Sequence, residues 1–210
     1  MTTTIDLTAY LVLDPILCEP LGMVKTAVEA ARAGATVVQL RAPQWKKRAL
    51  AECARALKRE LAPYHVPLII NDHVDIALAV DADGVHVGQS DLSPEDTRRL
   101  LGPQRILGLS VSTLEECRAV PRDLVDYIGI GPIWATATKP DAAPALGIEG
   151  LKAVIAEAPC PHVTIGGIHL GNLANVKHAG AQGFAVVSAI CGQPDPYEAT
   201  RELIRTWQAA

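Results

Sequence analysis

The residues best suited to chemistry in this chain are polar groups that stand at the ends of short apolar runs. Two carboxylates, two cations, several hydroxyl and amide groups and a pair of glycines occupy such places: Gln39, Arg41, Asn71, Asp72, Gln89, Asp91, Ser110, Thr136, Thr138, Lys139, Gly166, Gly167 and Ser188. Runs of this kind predict parallel strands, and ligands of parallel α/β folds lie against the carboxyl ends of the strands. The spacing therefore predicts that these groups share one rim.

Asp72 and Asp91 follow two consecutive apolar runs. Carboxylates on neighbouring strand ends, together with phosphate oxygens of a substrate, are ligands that Mg²⁺ prefers. Each aspartate could instead cap a helix, one from about His73 and one from about Ser93, because aspartate is a favoured N-cap residue. Their shared position favours the metal site. Asp75 lies inside a predicted helix and is assigned to capping or to the surface.

Arg41 and Lys139 are the two cations on the predicted rim. Arginine is a planar bidentate donor and lysine a mobile point charge, so together they suit a pyrophosphate, although both residue types are also common as solvated loop cations. Lys139 follows Thr-Ala-Thr in a Pro-rich connection over 134–147 that is longer than an ordinary strand-to-helix turn. We expect this connection to be an active-site flap.

Gly166 and Gly167 end the seventh apolar run, and Val187 and Ser188 end the eighth. Barrels of parallel strands commonly bind phosphate at these two places through backbone N–H groups, and glycine lets the backbone approach the anion closely. A glycine pair can also simply form a tight turn. Its position after the seventh run favours a phosphate site.

Histidines add little to this pattern. His86 lies inside the fourth run, and we expect a packed residue with a hydrogen-bonded ring. Four further histidines have no second residue at the spacing of a metal site: His65, His162, His169 and His178. No nucleophile stands beside an evident base, which argues against hydrolase chemistry and favours catalysis by charge neutralisation.

Eight apolar runs must position these groups. They begin near Leu11, Val37, Leu68, Val85, Ile106, Tyr127, His162 and Phe184. Most are followed by a turn and then by sequence with helical spacing, as at 23–33, 45–61 and 93–101. Alternation at roughly 25 residues per unit is typical of a (β/α)8 TIM barrel, an α/β fold, although alternation alone also fits a doubly wound open sheet. We expect a single barrel domain over 1–210.

Composition narrows the class of protein. The net charge is −4 over 210 residues and the Lys and Arg residues are scattered, which predicts no nucleic acid and no membrane as partner. The five cysteines are far apart without CxxC spacing, and no uninterrupted apolar segment reaches about 18 residues. We therefore expect a cytoplasmic protein that acts on small molecules, and a homo-oligomer stays possible.

Five stretches of the chain closely resemble thiamine-phosphate synthases, in the order and spacing of that family. They are VVQLR (37–41), LIINDHVDIALAVDADGVHVGQSDL (68–92), ILGLSVST (106–113), DYIGIGPIWATATKPDAAPALGIEGL (126–151) and VTIGGIHLGNLANVKHAGAQGFAVVSAI (163–190). The resemblance implies a barrel enzyme that condenses 4-amino-2-methyl-5-(diphosphooxymethyl)pyrimidine with 4-methyl-5-(2-phosphoethyl)thiazole. The implied products are thiamine phosphate and pyrophosphate, and the implied cofactor is Mg²⁺.

The resemblance also implies a role for each matching residue. The groups that would hold the aminopyrimidine and its pyrophosphate are Gln39, Arg41, Asn71, Ser110 and Lys139. Asp72 and Asp91 would be the Mg²⁺ ligands. The site of the thiazole phosphate would consist of Thr136, Thr138, Gly167, Val187 and Ser188. Catalysis would fall to Arg41, Ser110 and Lys139: pyrophosphate leaves first, and the thiazole nitrogen captures the resulting pyrimidinylmethyl cation without a general base.

Four positions depart from the family pattern: Ala42, Pro43, His73 and Ser90. Pro43 stands where the family commonly has a lysine, so one cation for the pyrophosphate is missing. Lys46 or Lys47 could take its place, but a residue several positions further on is normally helical and points elsewhere. The departures therefore bear on the affinity for pyrophosphate more than on the fold.

Two other functions fit the same barrel. The thiazole tautomerase branch of the family shares the thiazole phosphate site, but it handles no pyrophosphate and need not keep Asp72 and Asp91. Pro132 occupies the position of the working histidine of that branch, which favours the synthase. The other possibility is a non-catalytic regulator that binds a phosphate ligand, because a fold does not determine a function.

Overall fold

The computed structural model of this chain describes residues 5–136, 138 and 143–210. Each strand pairs in parallel with the next, and the eighth pairs with the first, which closes a barrel. The strands are β1 (Ala9–Leu13), β2 (Val37–Leu40), β3 (Leu68–Asn71), β4 (Gly84–Val87), β5 (Ile106–Val111), β6 (Tyr127–Ile130), β7 (His162–Ile165) and β8 (Phe184–Val186). All eight predicted runs are strands, and the closure confirms the TIM barrel over the open sheet.

Helices follow the strands and cover the outside of the barrel. Within the described residues they are α1 (Met23–Ala33), α2 (Lys47–Leu61), α3 (Val74–Val80), α4 (Pro94–Leu101), α5 (Leu114–Arg118), α6 (Gly147–Ala156), α7 (Leu173–His178) and α8 (Pro196–Ala209). The Ser93 hydroxyl accepts the N–H of Asp96 at the start of α4, and Gly34 ends α1 in the left-handed conformation. None of the helices in the described ranges has the length and apolar character that crossing a membrane requires.

Side chains on the strands alternate between two apolar clusters. Tyr10 and Val37 point into the barrel and belong to the inner cluster. Their neighbours Leu11 and Val38 point outward and pack under the helices in the larger outer cluster. This period of two is expected for strands that are buried on both faces. The outer cluster holds most of the buried apolar residues of the described chain.

The two ends of the barrel differ in their polar contacts. At the amino ends of the strands, Arg98 and Asp126 form a largely buried ion pair with 2.7 Å between Nη2 and Oδ2. Asp126 also accepts the N–H of Leu107, and Arg98 donates to the carbonyl of Leu124. The polar groups at this end are therefore paired with each other. The cavity lies at the opposite end, at the carboxyl ends of the strands, as is usual for TIM barrels.

Candidate active site

A cavity of about 250 Å³ opens at the carboxyl ends of the strands. Nine of the twelve residues predicted for the site line it: Gln39, Arg41, Asn71, Ser110, Thr136, Thr138, Gly167, Val187 and Ser188. They belong to β2, β3, β5 and the segments that follow β2, β6, β7 and β8. Closure of the barrel therefore brings together groups that are far apart in the sequence.

The other three predicted residues do not form part of the described cavity wall. Asp72 and Asp91 stand on the rim beside the cavity, directly after β3 and shortly after β4. Lys139 belongs to 139–142, which lies outside the described residues, so its contact with the cavity stays a prediction.

The predicted flap over 134–147 is anchored at its base. The N–H of Leu146 donates to the carbonyl of Pro132 at 2.9 Å, and the N–H of Gly147 donates to the carbonyl of Ile133, also at 2.9 Å. Thr136 and Thr138 both line the cavity, and their hydroxyl oxygens are 2.8 Å apart. The described ends of this connection therefore present two hydroxyl groups to a ligand.

Asp72 has a left-handed backbone with φ of 60°, a region that aspartate enters more easily than most residues. Its N–H donates to the carbonyl of His86 on β4 at 2.8 Å, and its Oδ2 accepts from the amide of Asn71 at 2.6 Å. Helix α3 begins at Val74, and its N-cap residue is His73, without a side-chain capping bond. Asp72 therefore does not cap α3, and its carboxylate is held at the rim.

Asp91 is held in a similar way at the end of β4. Its Oδ2 accepts the N–H of Gly88 at 2.8 Å, and the N-cap of α4 is Ser93. Since β4 pairs with β3, the carboxylates of Asp72 and Asp91 follow adjacent strands on the same end of the barrel.

These two carboxylates fit a magnesium ion. Both offer hard oxygen donors, and no group of three or more His, Cys, Asp or Glu side chains that could hold a metal occurs among the described residues. In proteins, Mg²⁺ is commonly held by one or two carboxylates and completes its coordination with water and phosphate oxygens. Two carboxylates are a donor set that suits Mg²⁺ and does not suit a structural zinc site.

Arg41 is the one permanent cation among the described residues that line the cavity. Lys47, a candidate to replace the lysine that the family has at Pro43, pairs with Asp75 on the surface, with 2.5 Å between Nζ and Oδ2. This pair confirms the surface role predicted for Asp75. Lys46, the other candidate, is exposed just before α2 and does not line the cavity.

The turn after β7 requires glycine. Gly166 and Gly167 have left-handed backbones with φ of 102° and 67°. A Cβ on Gly166 would lie 2.5 Å from Cα of Pro132, and one on Gly167 would lie 2.7 Å from Cβ of Trp134. Within the described chain, the N–H groups of Gly167 and Ser188 donate to no protein acceptor, and both residues line the cavity. Such N–H groups suit a phosphate.

A chain of hydrogen bonds crosses the inner end of the cavity. Nε2 of Gln39 donates to the hydroxyl of Tyr10 at 2.8 Å, and this oxygen lies 2.8 Å from the hydroxyl of Tyr127. The Tyr127 oxygen is 3.0 Å from Nδ1 of His86, whose Nε2 is 2.9 Å from Oγ of Ser110. Burial raises the pKa of both phenols above the ordinary value, so both are neutral at physiological pH.

The pattern of polar strand ends does not select Tyr10 and Tyr127, because both lie inside apolar strands. The prediction that His86 is packed with a hydrogen-bonded ring is confirmed, but His86 also lines the cavity. The one sequence signal that could have identified these residues is a glycine inside the fifth apolar run, because glycine within a strand often marks the close approach of another group. Gly108 lies on the strand between His86 and Tyr127, and it pairs in register with both.

Known proteins resemble this chain in sequence and in structure. A family model described as "Thiamine monophosphate synthase" matches residues 9–190. A "Thiamine-phosphate synthase" of Xanthobacter autotrophicus is 53% identical over 203 residues, which are 97% of this chain and 96% of that protein. Another of the same name from Laribacter hongkongensis is 51% identical over 204 residues, with the same coverage of 97% and 96%.

The solved structure of a "Thiamine phosphate pyrophosphorylase" from Pyrococcus furiosus superposes with a TM-score of 0.88 at 33% identity. The match covers 97% of this chain and 96% of that one. With matches of this extent in sequence and structure, the chain belongs to the thiamine-phosphate synthase family.

Proposed function

We propose that this chain condenses 4-amino-2-methyl-5-(diphosphooxymethyl)pyrimidine with 4-methyl-5-(2-phosphoethyl)thiazole to give thiamine phosphate and pyrophosphate. Besides membership of the family, one observation carries the proposal. Arg41, Gly167 and Ser188 line a single cavity, so a cation for one phosphorylated substrate and the N–H groups for another belong to the same site. The five free cysteines suit the reducing cytoplasm, which we propose as the location of the protein. We also propose that residues 1–210 act as one domain.

The reaction needs one bond broken and one bond formed. The C–O bond between the pyrimidine methylene and the diphosphate breaks, and its electron pair leaves with the diphosphate oxygen. The methylene cation then accepts the lone pair of the thiazole nitrogen, which forms the C–N bond. No proton moves in either step, so the cavity needs no general base. His86 in the cavity wall has both ring nitrogens hydrogen-bonded to hydroxyl groups, those of Tyr127 and Ser110.

Charge neutralisation is then the main task of the side chains around the diphosphate. The guanidinium of Arg41 would offset the charge that grows on the departing diphosphate, and Lys139 would assist it. Asp72 and Asp91 would hold Mg²⁺, and this cation would supply further positive charge beside the diphosphate when bound. The aminopyrimidine would be held by Gln39, Asn71 and Ser110.

The second substrate would sit beside the first. Its phosphate would accept hydrogen bonds from the turns after β7 and β8 and from the flap hydroxyls, through Thr136, Thr138, Gly167, Val187 and Ser188. Apolar side chains form much of the remaining wall: Val12, Leu13, Val163, Ile165, Ile168 and Ala185. This apolar lining would keep water away from the methylene cation until the thiazole nitrogen reacts.

The direct test mixes the purified chain with both substrates and Mg²⁺. Thiamine phosphate and pyrophosphate should appear in equal amounts, and no product at any Mg²⁺ concentration would refute the proposal. A tautomerase-like isomerase would convert a thiazole phosphate in the absence of the pyrimidine, and a non-catalytic regulator would bind phosphate ligands without turnover. Pro132 in the cavity wall, at the position of the tautomerase histidine, favours the synthase.

A further inference from the structure

The direction of every hydrogen bond between Gln39 and Ser110 follows from the first one. Nε2 of Gln39 can only donate, so the Tyr10 oxygen accepts in their bond of 2.8 Å. Tyr10 is buried, and a buried hydroxyl proton without an acceptor is costly. Within the described chain, the acceptor of this proton is the Tyr127 oxygen, 2.8 Å away.

The next two hydrogen bonds run in the same direction. Tyr127 accepts from Tyr10 and therefore donates its own proton to Nδ1 of His86 at 3.0 Å. The imidazole is then neutral with its proton on Nε2, which donates to Oγ of Ser110 at 2.9 Å. In all four hydrogen bonds, the donated proton therefore points away from Gln39 and towards Ser110. Gln39 and Ser110 both line the cavity. Because Nε2 of Gln39 and Oγ of Ser110 are engaged in these bonds, the groups they can offer to a ligand are the Gln39 carbonyl oxygen as an acceptor and the Ser110 hydroxyl proton as a donor.

Two glycines leave the space that the rings of this hydrogen-bonded network occupy. A Cβ on Gly108 would lie 2.2 Å from Cζ of Tyr127 and 2.5 Å from Nδ1 of His86, directly at the hydrogen bond between the two rings. A Cβ on Gly129 would lie 3.1 Å from Cε1 of His86. Bulky branched side chains usually fill this layer of a TIM barrel. Here β5 and β6 leave space for two polar rings, so the interior is shaped around their contact.

We propose that Tyr10, Tyr127 and His86 are positioning residues that hold the Gln39 amide in this orientation, and that the resulting polarity selects a 4-aminopyrimidine over the corresponding 4-oxopyrimidine, an inference that rests on the proposed function. The amino group donates to the Gln39 carbonyl, and an unprotonated ring nitrogen accepts from the Ser110 hydroxyl. In a 4-oxo ring, a carbonyl would face the Gln39 carbonyl and one ring nitrogen would carry a proton. Sites built from directed hydrogen bonds reject such mismatches more strongly than apolar pockets do.

The test compares the 4-amino and 4-oxo forms of the pyrimidinylmethyl diphosphate as substrates for the wild type and for Tyr127→Phe and Tyr10→Phe. Each substitution removes one hydroxyl group and keeps the ring. We expect the ratio of kcat/KM for the 4-amino over the 4-oxo substrate to fall about tenfold or more in each variant. The KM for the thiazole phosphate should not change. The difference in intrinsic reactivity between the two substrates is the same for every enzyme, so it cancels when the ratio of a variant is compared with that of the wild type. The matched control is Tyr197→Phe, because the Tyr197 ring contacts Arg32 and Arg201 on the outer helices.

A second measurement needs no substrate and also decides the matter if the variants fail to fold. The ¹⁵N NMR signals of the wild-type His86 ring, assigned with His86→Gln, should show the proton on Nε2 and an unprotonated Nδ1. A proton on Nδ1, or an unchanged substrate ratio in both tyrosine variants, would overturn the inference. Equal losses for the two substrates would also overturn it, since they indicate a merely structural role. If the wild type forms no thiamine phosphate, the proposed function fails while the NMR result still judges the polarity.

Discussion

Replacing Asp72 by asparagine should remove one negative charge from the rim and change little else. Asparagine enters the left-handed region as readily as aspartate, so the φ of 60° adds no strain. Its side-chain oxygen can keep the bond of 2.6 Å from the Asn71 amide, and the backbone bond to His86 is untouched. Asp72→Asn therefore separates the charge of this residue from its shape.

The size of the effect follows from the loss of a full charge next to a bound cation. Two unit charges about 4 Å apart interact by about 4 kcal/mol at an effective dielectric constant of about 20. The amide oxygen of asparagine keeps part of this attraction through its dipole, and Asp91 remains. We therefore expect a loss of about 2–4 kcal/mol in transition-state stabilisation, which lowers kcat/KM by about 30- to 1,000-fold.

The assay measures steady-state rates over a range of Mg²⁺ concentrations, with binding of the thiazole phosphate measured separately by calorimetry. In Asp72→Asn, the half-maximal Mg²⁺ concentration should rise and thiazole phosphate binding should stay nearly unchanged. Asp81→Asn is the matched control. Asp81 also has a left-handed backbone, with φ of 55°, but it is exposed at the other end of the barrel and pairs with Lys58 and Arg105.

Two results would contradict the role of Asp72 in different ways. Normal turnover with a normal Mg²⁺ dependence in Asp72→Asn would exclude Asp72 as a ligand of the cation. Equal losses of turnover and of thiazole phosphate binding would instead show that the rim and the turns after β7 and β8 do not act separately.

Three further changes test other parts of the molecule. Gly167→Ala should raise the KM for the thiazole phosphate by about tenfold or more, because the added Cβ would lie 2.7 Å from that of Trp134; an unchanged KM in steady-state kinetics would contradict the phosphate site. Desolvation lowers the pKa of the buried His162, so the unfolded chain binds the proton more readily, and stability that is complete above pH about 6.5 should fall as the pH drops towards the folded pKa. His162→Leu should reduce this slope by up to about 1.4 kcal/mol per pH unit in denaturant unfolding, and an unchanged slope would exclude His162 as its cause. Arg98→Ala should lower the free energy of unfolding by about 3–5 kcal/mol, because Asp126 is only 15% exposed; kcat should stay normal, and a small change in stability would contradict the importance of this pair.

The strands and helices of this protein could be predicted because they depend on neighbouring residues. Apolar runs, helical spacing and glycine stops act over a few positions, so the start of each strand and the start of α1 were found within a few residues. Gly166 and Gly167 could be identified for the same reason, since they directly follow an apolar run. The contact of Lys139 with the cavity stays a prediction.

Residue type and spacing are local properties, so they specify the order of elements and which polar groups stand at the carboxyl ends of the strands. Which of these groups face one cavity depends on closure between β1 and β8, and this is seen in the folded chain alone. Closure also brings Tyr10, Tyr127 and His86 into one hydrogen-bonded chain. Such contacts join strands that are remote in the sequence, and no local pattern encodes the distance between them.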